Sequence, residues 1–297
     1  MKGSERLALL GFRVGWWCGR WLPESLVRSV ISVAGEQTWR KRGKGMRRLV
    51  FNQARVLRVS PRSAEAIAAA RTATRNYFRY WAELFLQSRW SDRDIERLVA
   101  VEGVEQVEAV LDSGRGAMLL ATHSGNWDLV GAWGANKFGG FTTVAERLEP
   151  VELFDEFVRH RAVRQIEILP HKGGARRPTE VLTERLNQGR LVALAADRDM
   201  SRTGVQVELF GAKAKLPGGP AYLAANTGCA LFPVGVWFDG KLTRVKIYPE
   251  LDTRGDNQAV TQRLADAFEV ILKQHPECWS MLQQVWLDHP AEWGGRG

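Results

Sequence analysis

The chain has 297 residues, 42 Lys+Arg against 33 Asp+Glu, and a formal net charge of +9. With 45% hydrophobic and 25% charged residues it is not a disordered chain, and its length allows a sizeable core. Three widely spaced cysteines, Cys18, Cys229 and Cys278, argue against a disulfide framework or a cysteine zinc site and fit a reducing compartment.

The charge is unevenly placed. Residues 1–60 carry 13 basic and three acidic side chains, so the whole excess lies there and the remainder is close to neutral. Such an end points to a polyanion, either anionic lipid or nucleic acid. No zinc-finger spacing, RNP-type strand or recognition helix accompanies the charge, so nucleic acid is not the expected partner.

Residues 5–22 read as an amphipathic helix. Arg6, Arg13 and Arg20 recur every seven residues, and at about 100° per residue seven steps fall only about 20° short of two turns. The arginines interrupt what would otherwise be a membrane span, and no cleavage site marks a signal peptide. Two readings remain: a helix in the lipid interface with Trp16, Trp17 and Trp21 at headgroup depth, or a core-packed helix with a solvated arginine stripe. The basic cluster Arg40-Lys41-Arg42 with Lys44, Arg47 and Arg48 favours the first.

Residues 24–90 carry helical patterns. Ser60-Pro61-Arg62-Ser63 marks a break before a long helix over 64–88, whose stripe of Tyr77, Phe78, Trp81 and Phe85 reads as core. Past residue 97 strands and helices alternate. Strands are predicted at 117–121, 141–145, 166–169, 191–196, 204–210, 230–238 and 243–249. Helices are predicted at 127–137, 151–163, 178–188, 217–227, 258–274 and 277–284. The uncharged run 216–238 holds Pro217, Pro220 and Pro233 and reads as a buried helix and strand, not a membrane span. The fold class is α/β: a mostly parallel central sheet flanked by helices, behind a basic, amphipathic helical N-terminal region. The chain is expected to be one domain over 1–297, with membrane-binding helices in 1–60, helices in 61–97 and an α/β catalytic core in 98–297.

Candidate chemistry collects at two strand ends. Leu119-Leu120-Ala121 runs into His123-Ser124-Gly125-Asn126 and then a helix carrying Asp128. Ligands in open α/β sheets bind beyond the carboxyl ends of strands. A carboxylate five residues on, in a His-x4-Asp pattern, can fix the histidine tautomer and leave Nε2 as a base. Ser124 and Asn126, with the 124–126 amides near a helix N-terminus, suit a phosphate or a developing oxyanion. The second end is Leu194-Ala195-Ala196-Asp197-Arg198-Asp199, from which Asp197 would reach the same cleft. Either acid, Asp128 or Asp197, can pair with His123. Glu146, Arg147 and Arg198 are placed where a polar headgroup or its phosphate would bind. His160, His171, His275 and His289 lack a matching acid, and Trp237, Trp279 and Trp286 read as core. Metal ligands at short spacing, a Walker loop and a helix-opening Gly-x-Gly-x-x-Gly are all missing, so no metal or cofactor is expected.

The His-Ser-Gly-Asn-Trp-Asp segment resembles the His-x4-Asp motif of the bacterial lipid A biosynthesis acyltransferases. More closely, the chain is similar to the actinobacterial phosphatidylinositol mannoside acyltransferases. The likeness runs from about residue 70 through Thr142–Pro150, Ala196–Val207, Leu209-Phe210-Gly211, Leu216–Pro220, Leu231–Val234, Tyr248–Leu251 and His275-Pro276-Glu277-Cys278-Trp279. It implies a peripheral enzyme at the cytoplasmic face of the plasma membrane. Such an enzyme moves a long acyl chain, usually palmitoyl, from acyl-CoA to a mannose hydroxyl of a phosphatidylinositol mannoside. His123 would be the base. The resemblance puts an acid at position 197 as its partner, a glutamate in other members, so Asp197 is one methylene short. Two other functions share these features: lipid A-type late acyl transfer from an acyl-carrier protein, and non-catalytic binding to anionic lipid.

Overall fold

The computed structural model describes residues 3–146, 151–199 and 203–295. Four helices come first: α1 (Gly3–Trp21), α2 (Glu24–Lys41), α3 (Lys44–Leu57) and α4 (Ala64–Leu86). Ser63 caps α4, its hydroxyl accepting the Ala66 N–H at 3.1 Å, which places the helix start at the predicted break. Then follow α5 (Asp92–Leu98), β1 (Val99–Glu102), α6 (Val104–Asp112), β2 (Ala117–Ala121), α7 (Trp127–Phe138), β3 (Phe141–Ala145), α8 (Val151–Ala162), β4 (Ile166–Pro170), α9 (Pro178–Asn187) and β5 (Leu191–Ala195). The chain continues through β6 (Val205–Leu209), β7 (Ala212–Leu216), α10 (Gly219–Thr227), β8 (Ala230–Asp239), β9 (Leu242–Ile247) and α11 (Asn257–Gln274).

Seven strands form one sheet in the order β1-β9-β8-β2-β5-β3-β4, parallel except for the β8/β9 pair. Side chains alternate across it. Met118 and Leu120 of β2 join a core with α9, α10 and α11, while Ala117, Leu119 and Ala121 join one with α5, α6 and α7. The sheet is therefore a layer between two helical layers, as an apolar, two-sided parallel sheet requires.

Two predictions needed correction. The strand predicted at 204–210 is not in the sheet. It is β6, paired antiparallel with β7 in a separate hairpin that packs on α11. The helix predicted over 277–284 does not form. A 3-10 turn, Pro276–Cys278, leads into an irregular stretch whose backbone bonds go to distant parts of the chain. Its carbonyls take the buried Asn52 and Gln53 amides of α3: Met281 O and Gln283 O accept from Asn52, Pro276 O and Trp279 O from Gln53. Tertiary partners thus satisfy the groups that a helical ladder would have used.

The helix α1 has two working faces. Leu9, Phe12 and Trp16 pack into an aromatic cluster with α4 and α8. A Cβ at Gly19 would collide with the Phe85 carbonyl of α4, so the two backbones meet closely there. On the opposite side Leu10, Val14, Trp17 and Trp21 are 50–67% exposed and share one stripe at i, i+4, i+7, i+11. Leu26, Val30 and Val33 repeat this spacing on α2 and are also exposed. The first helix is therefore core-packed on one face and apolar to solvent on the other. The arginines lie on a flank, where Arg13 pairs with Glu156 of α8 at 2.7 Å. Among the described residues no helix is long and apolar enough to cross a membrane.

Candidate active site

Register brings the central pair together. Strands β2 and β5 are parallel neighbours with Ala121 opposite Ala195, and Ala196 N–H extends the ladder to Ala121 O at 2.9 Å. His123 and Asp197 each lie two residues beyond those paired ends. Parallel strands stand about 4.8 Å apart, so side chains of this size meet across the gap. His123 Nδ1 is 2.6 Å from Asp197 Oδ1, and the His123 backbone N–H donates to Asp197 Oδ2 at 2.8 Å. The Trp279 indole N–H donates to the same Oδ2 at 2.8 Å. The missing methylene of Asp197 is thus no obstacle.

The environment is asymmetric. The Asp197 side chain is 3% exposed and that of His123 32%, so the carboxylate is sealed and one side of the imidazole is open. Burial works against the charged imidazolium, but the charge and hydrogen bond of Asp197 outweigh it and hold His123 above the usual imidazole value. Burial likewise opposes ionisation of Asp197. The His123 charge and bonds, with the Trp279 donor, leave it below the usual carboxylate range. With Asp197 ionised, Nδ1 is the donor and Nε2 is left as the acceptor.

Asp128 does not share this arrangement. Its Oδ2 accepts the Tyr80 hydroxyl at 2.6 Å and its Oδ1 the Arg161 Nε–H at 2.8 Å. The group ties α4, α7 and α8 together, and Tyr80 stacks on Trp127 at 4.2 Å. Trp127 in turn sets its ring edge-on to His123, with centroids 5.6 Å apart. The choice that the sequence left open falls to Asp197. Because the Asp128 pair is buried, Asp128→Asn is expected to cost about 2–3 kcal/mol of stability. Urea denaturation measures that loss, and turnover is expected to fall less than about tenfold.

The other expected residues divide. Ser124 and Asn126, read as substrate ligands, are both buried with partners of their own. Asn126 caps α7 by accepting the Leu129 N–H at 3.0 Å and donates to the buried Glu83 at 2.8 Å. The Ser124 hydroxyl lies 2.8 Å from that of Thr122. The Ser124 and Gly125 amides, read as oxyanion donors, are taken by Thr122 O and Cys278 O at 2.7 and 3.0 Å. Glu146 and Arg198 do come together at the carboxyl edge of β3 and β5, 3.3 Å apart. Arg147 lies outside the described residues. Burial raises the thiols of Cys229 and Cys278, the latter up to about 12, so neither is a ready nucleophile. Among the described residues no group of three or more His, Cys, Asp or Glu side chains is arranged around a common metal position.

The chain thus combines a three-layer α/β fold with a His–Asp pair at the carboxyl ends of adjacent parallel strands. It belongs to the bacterial lipid A biosynthesis acyltransferase family, whose family model matches residues 6–288, and it is an acyltransferase. Within that class it is 41% identical over 279 residues to the phosphatidylinositol mannoside acyltransferase of Mycolicibacterium smegmatis, with 94% of this chain and 91% of the relative covered. The enzyme of the same name from Mycobacterium tuberculosis is 42% identical over 287 residues, with 95% and 89% covered. The match extends the resemblance back through the N-terminal helices.

Proposed function

We propose that this chain transfers a long acyl group, with palmitoyl the first to test, from acyl-CoA to a mannose hydroxyl of a phosphatidylinositol mannoside. His123 is the general base. The observation that carries the reading is the His123–Asp197 pair at the strand ends, in a chain more than 40% identical to two enzymes of that name.

The chemistry needs no acyl-enzyme. A sugar hydroxyl is a poor nucleophile at neutral pH. His123 Nε2 takes its proton as the oxygen bonds to the thioester carbonyl carbon. The tetrahedral intermediate then collapses, the C–S bond breaks, and the imidazolium returns the proton to the thiolate. Asp197 keeps the imidazole in one tautomer and stabilises its transient charge. Arg198, paired with Glu146 at the strand edge, is placed to meet an anionic headgroup. No cofactor enters these steps.

The enzyme works as a peripheral protein on the cytoplasmic face of the plasma membrane, through residues 1–60. The exposed stripes of α1 and α2 would enter the acyl boundary, with Lys41, Arg42, Lys44 and Arg47 facing anionic headgroups. Arg13, Arg28 and Arg55 contribute less, since each already has an acidic partner in Glu156, Glu83 or Asp288. A paired Trp17→Glu, Trp21→Glu variant is expected to lose at least about tenfold in vesicle binding. Its melting temperature should hold, because both side chains are exposed. Co-sedimentation with anionic vesicles measures this, and unchanged binding would remove the stripe from the model of attachment.

The family description also supports a second acceptor, a lipid A precursor, and in that reading the donor would be an acyl-carrier protein. Purified enzyme offered each donor with each acceptor, with products read by mass spectrometry, separates the two. Acyl transfer to the lipid A precursor alone would overturn the mannoside assignment.

A further inference from the structure

The segment after α11 carries a tryptophan that the reaction so far leaves unused. Trp279 is fully buried, and the sequence alone reads it as core. Its position is nevertheless fixed by polar contacts on both sides. The His123–Asn126 turn is stitched to this segment: Ser280 N–H donates to His123 O at 2.9 Å, Gly125 N–H to Cys278 O at 3.0 Å, and Ser124 bridges Trp279. From the other side, the buried Gln53 amide of α3 donates to Trp279 O at 3.1 Å and Pro276 O at 2.7 Å. Trp286 packs edge-on against the ring at 6.1 Å.

We propose that Trp279 is a positioning residue of the acyl transfer, acting through Asp197, with Gln53 holding its backbone from α3. The geometry gives the reason. A carboxylate can turn about its Cβ–Cγ bond and offer either oxygen. Here Oδ2 is occupied by two donors, the His123 backbone N–H and the Trp279 indole N–H, each at 2.8 Å. Only Oδ1 is left for His123 Nδ1. The backbone donor comes from the same residue whose ring must be oriented, so it moves with that residue. The indole is the independent anchor. It supplies neutral, directional stabilisation to a buried anion without adding a charge that would compete with the imidazolium. Trp279 touches neither substrate nor the reacting atoms.

The inference rests on the reading of His123 as base, and its test separates the two. Trp279→Phe keeps the aromatic bulk and removes the donor. Trp286→Phe is the control, since it removes an equally buried indole N–H that serves only Leu209 O, at 2.8 Å. For Trp279→Phe, kcat is expected to fall about tenfold to a hundredfold. KM should stay within about twofold. The low-field Nδ1 proton of His123, followed in protein labelled with 15N-histidine, is expected to shift or broaden. Trp286→Phe should lower stability without either change. If Trp279→Phe matches that control, with full turnover and an unmoved proton, the positioning role is overturned. Where Trp279→Phe fails to fold, the indole N–H resonance of Trp279 in Asp197→Asn decides: a shift supports the contact and an unmoved signal overturns it. Normal turnover in His123→Ala would sink the base assignment while leaving the Trp279–Asp197 contact measurable.

Discussion

Exchange of His123 for alanine is expected to lower acyl transfer by about 10²–10⁴-fold, the usual weight of a positioned general base. The fold should persist. The His123 ring is partly open to solvent, and its backbone bonds to Asp197 and Ser280 do not depend on the side chain. Turnover with purified protein, beside a thermal melt, measures both. Near-normal turnover in a folded variant would remove His123 from the chemistry.

The wild-type pH profile carries the same signature. The base works when neutral, so kcat/KM falls as pH drops through the His123 pKa. That pKa lies above the usual imidazole value because Asp197 outweighs the effect of burial. The acid limb is therefore expected on the alkaline side of an ordinary histidine.

The second large effect is at Asp197. Asp197→Asn keeps the shape, removes the charge and presents an amide to Nδ1. An analogous exchange in hydrolytic triads costs about 10⁴-fold by favouring the wrong tautomer, and a loss of about 10³–10⁴-fold is expected here. The acid limb should move to lower pH, since burial of His123 is then no longer offset. Stability follows with its own sign. The raised His123 pKa stabilises the fold at low pH, and that contribution is lost as pH rises through it. The lowered Asp197 pKa stabilises the fold at higher pH, and that contribution is lost as pH falls through it. The pair therefore contributes most between the two values, and in Asp197→Asn this dependence should flatten. Denaturant titrations across pH measure it. An acid limb that stays in place would show that Asp197 does not set the His123 pKa.

The parts of this site that were legible in the sequence are those that local pattern controls. An unbroken apolar run, Ala117–Ala121, reads as a buried strand and is one, so the residues just past it were rightly placed at a sheet edge. The same holds for Leu191–Ala195 and Asp197. Pattern fails where distant partners decide. Val99–Glu102 is too short to signal a strand, and forms one against β9, far along the chain. Residues 277–284 have helical spacing, yet Asn52, Gln53 and the His123 turn claim their backbone groups. Trp279 was read as core for a related reason. Its burial is legible, whereas an indole N–H aimed at a carboxylate 82 positions away is not. Ser124 and Asn126 erred in the opposite direction: polar residues in a turn suggested ligands, and the fold used them for its own caps and bonds.

The placement of His123 and Asp197 at equal distances beyond register-matched strand ends has an evolutionary corollary. Their separation is set by main-chain pairing and not by the identity of neighbouring side chains. Residues such as Leu119 and Ala193 can therefore drift within apolar limits without disturbing the spacing. Changes of length cannot be absorbed in this way. One residue gained or lost between Ala121 and His123, or between Ala195 and Asp197, would reverse the side from which a side chain leaves the strand. The catalytic pair is thus tolerant of substitution around it and intolerant of indels at two short stretches of chain.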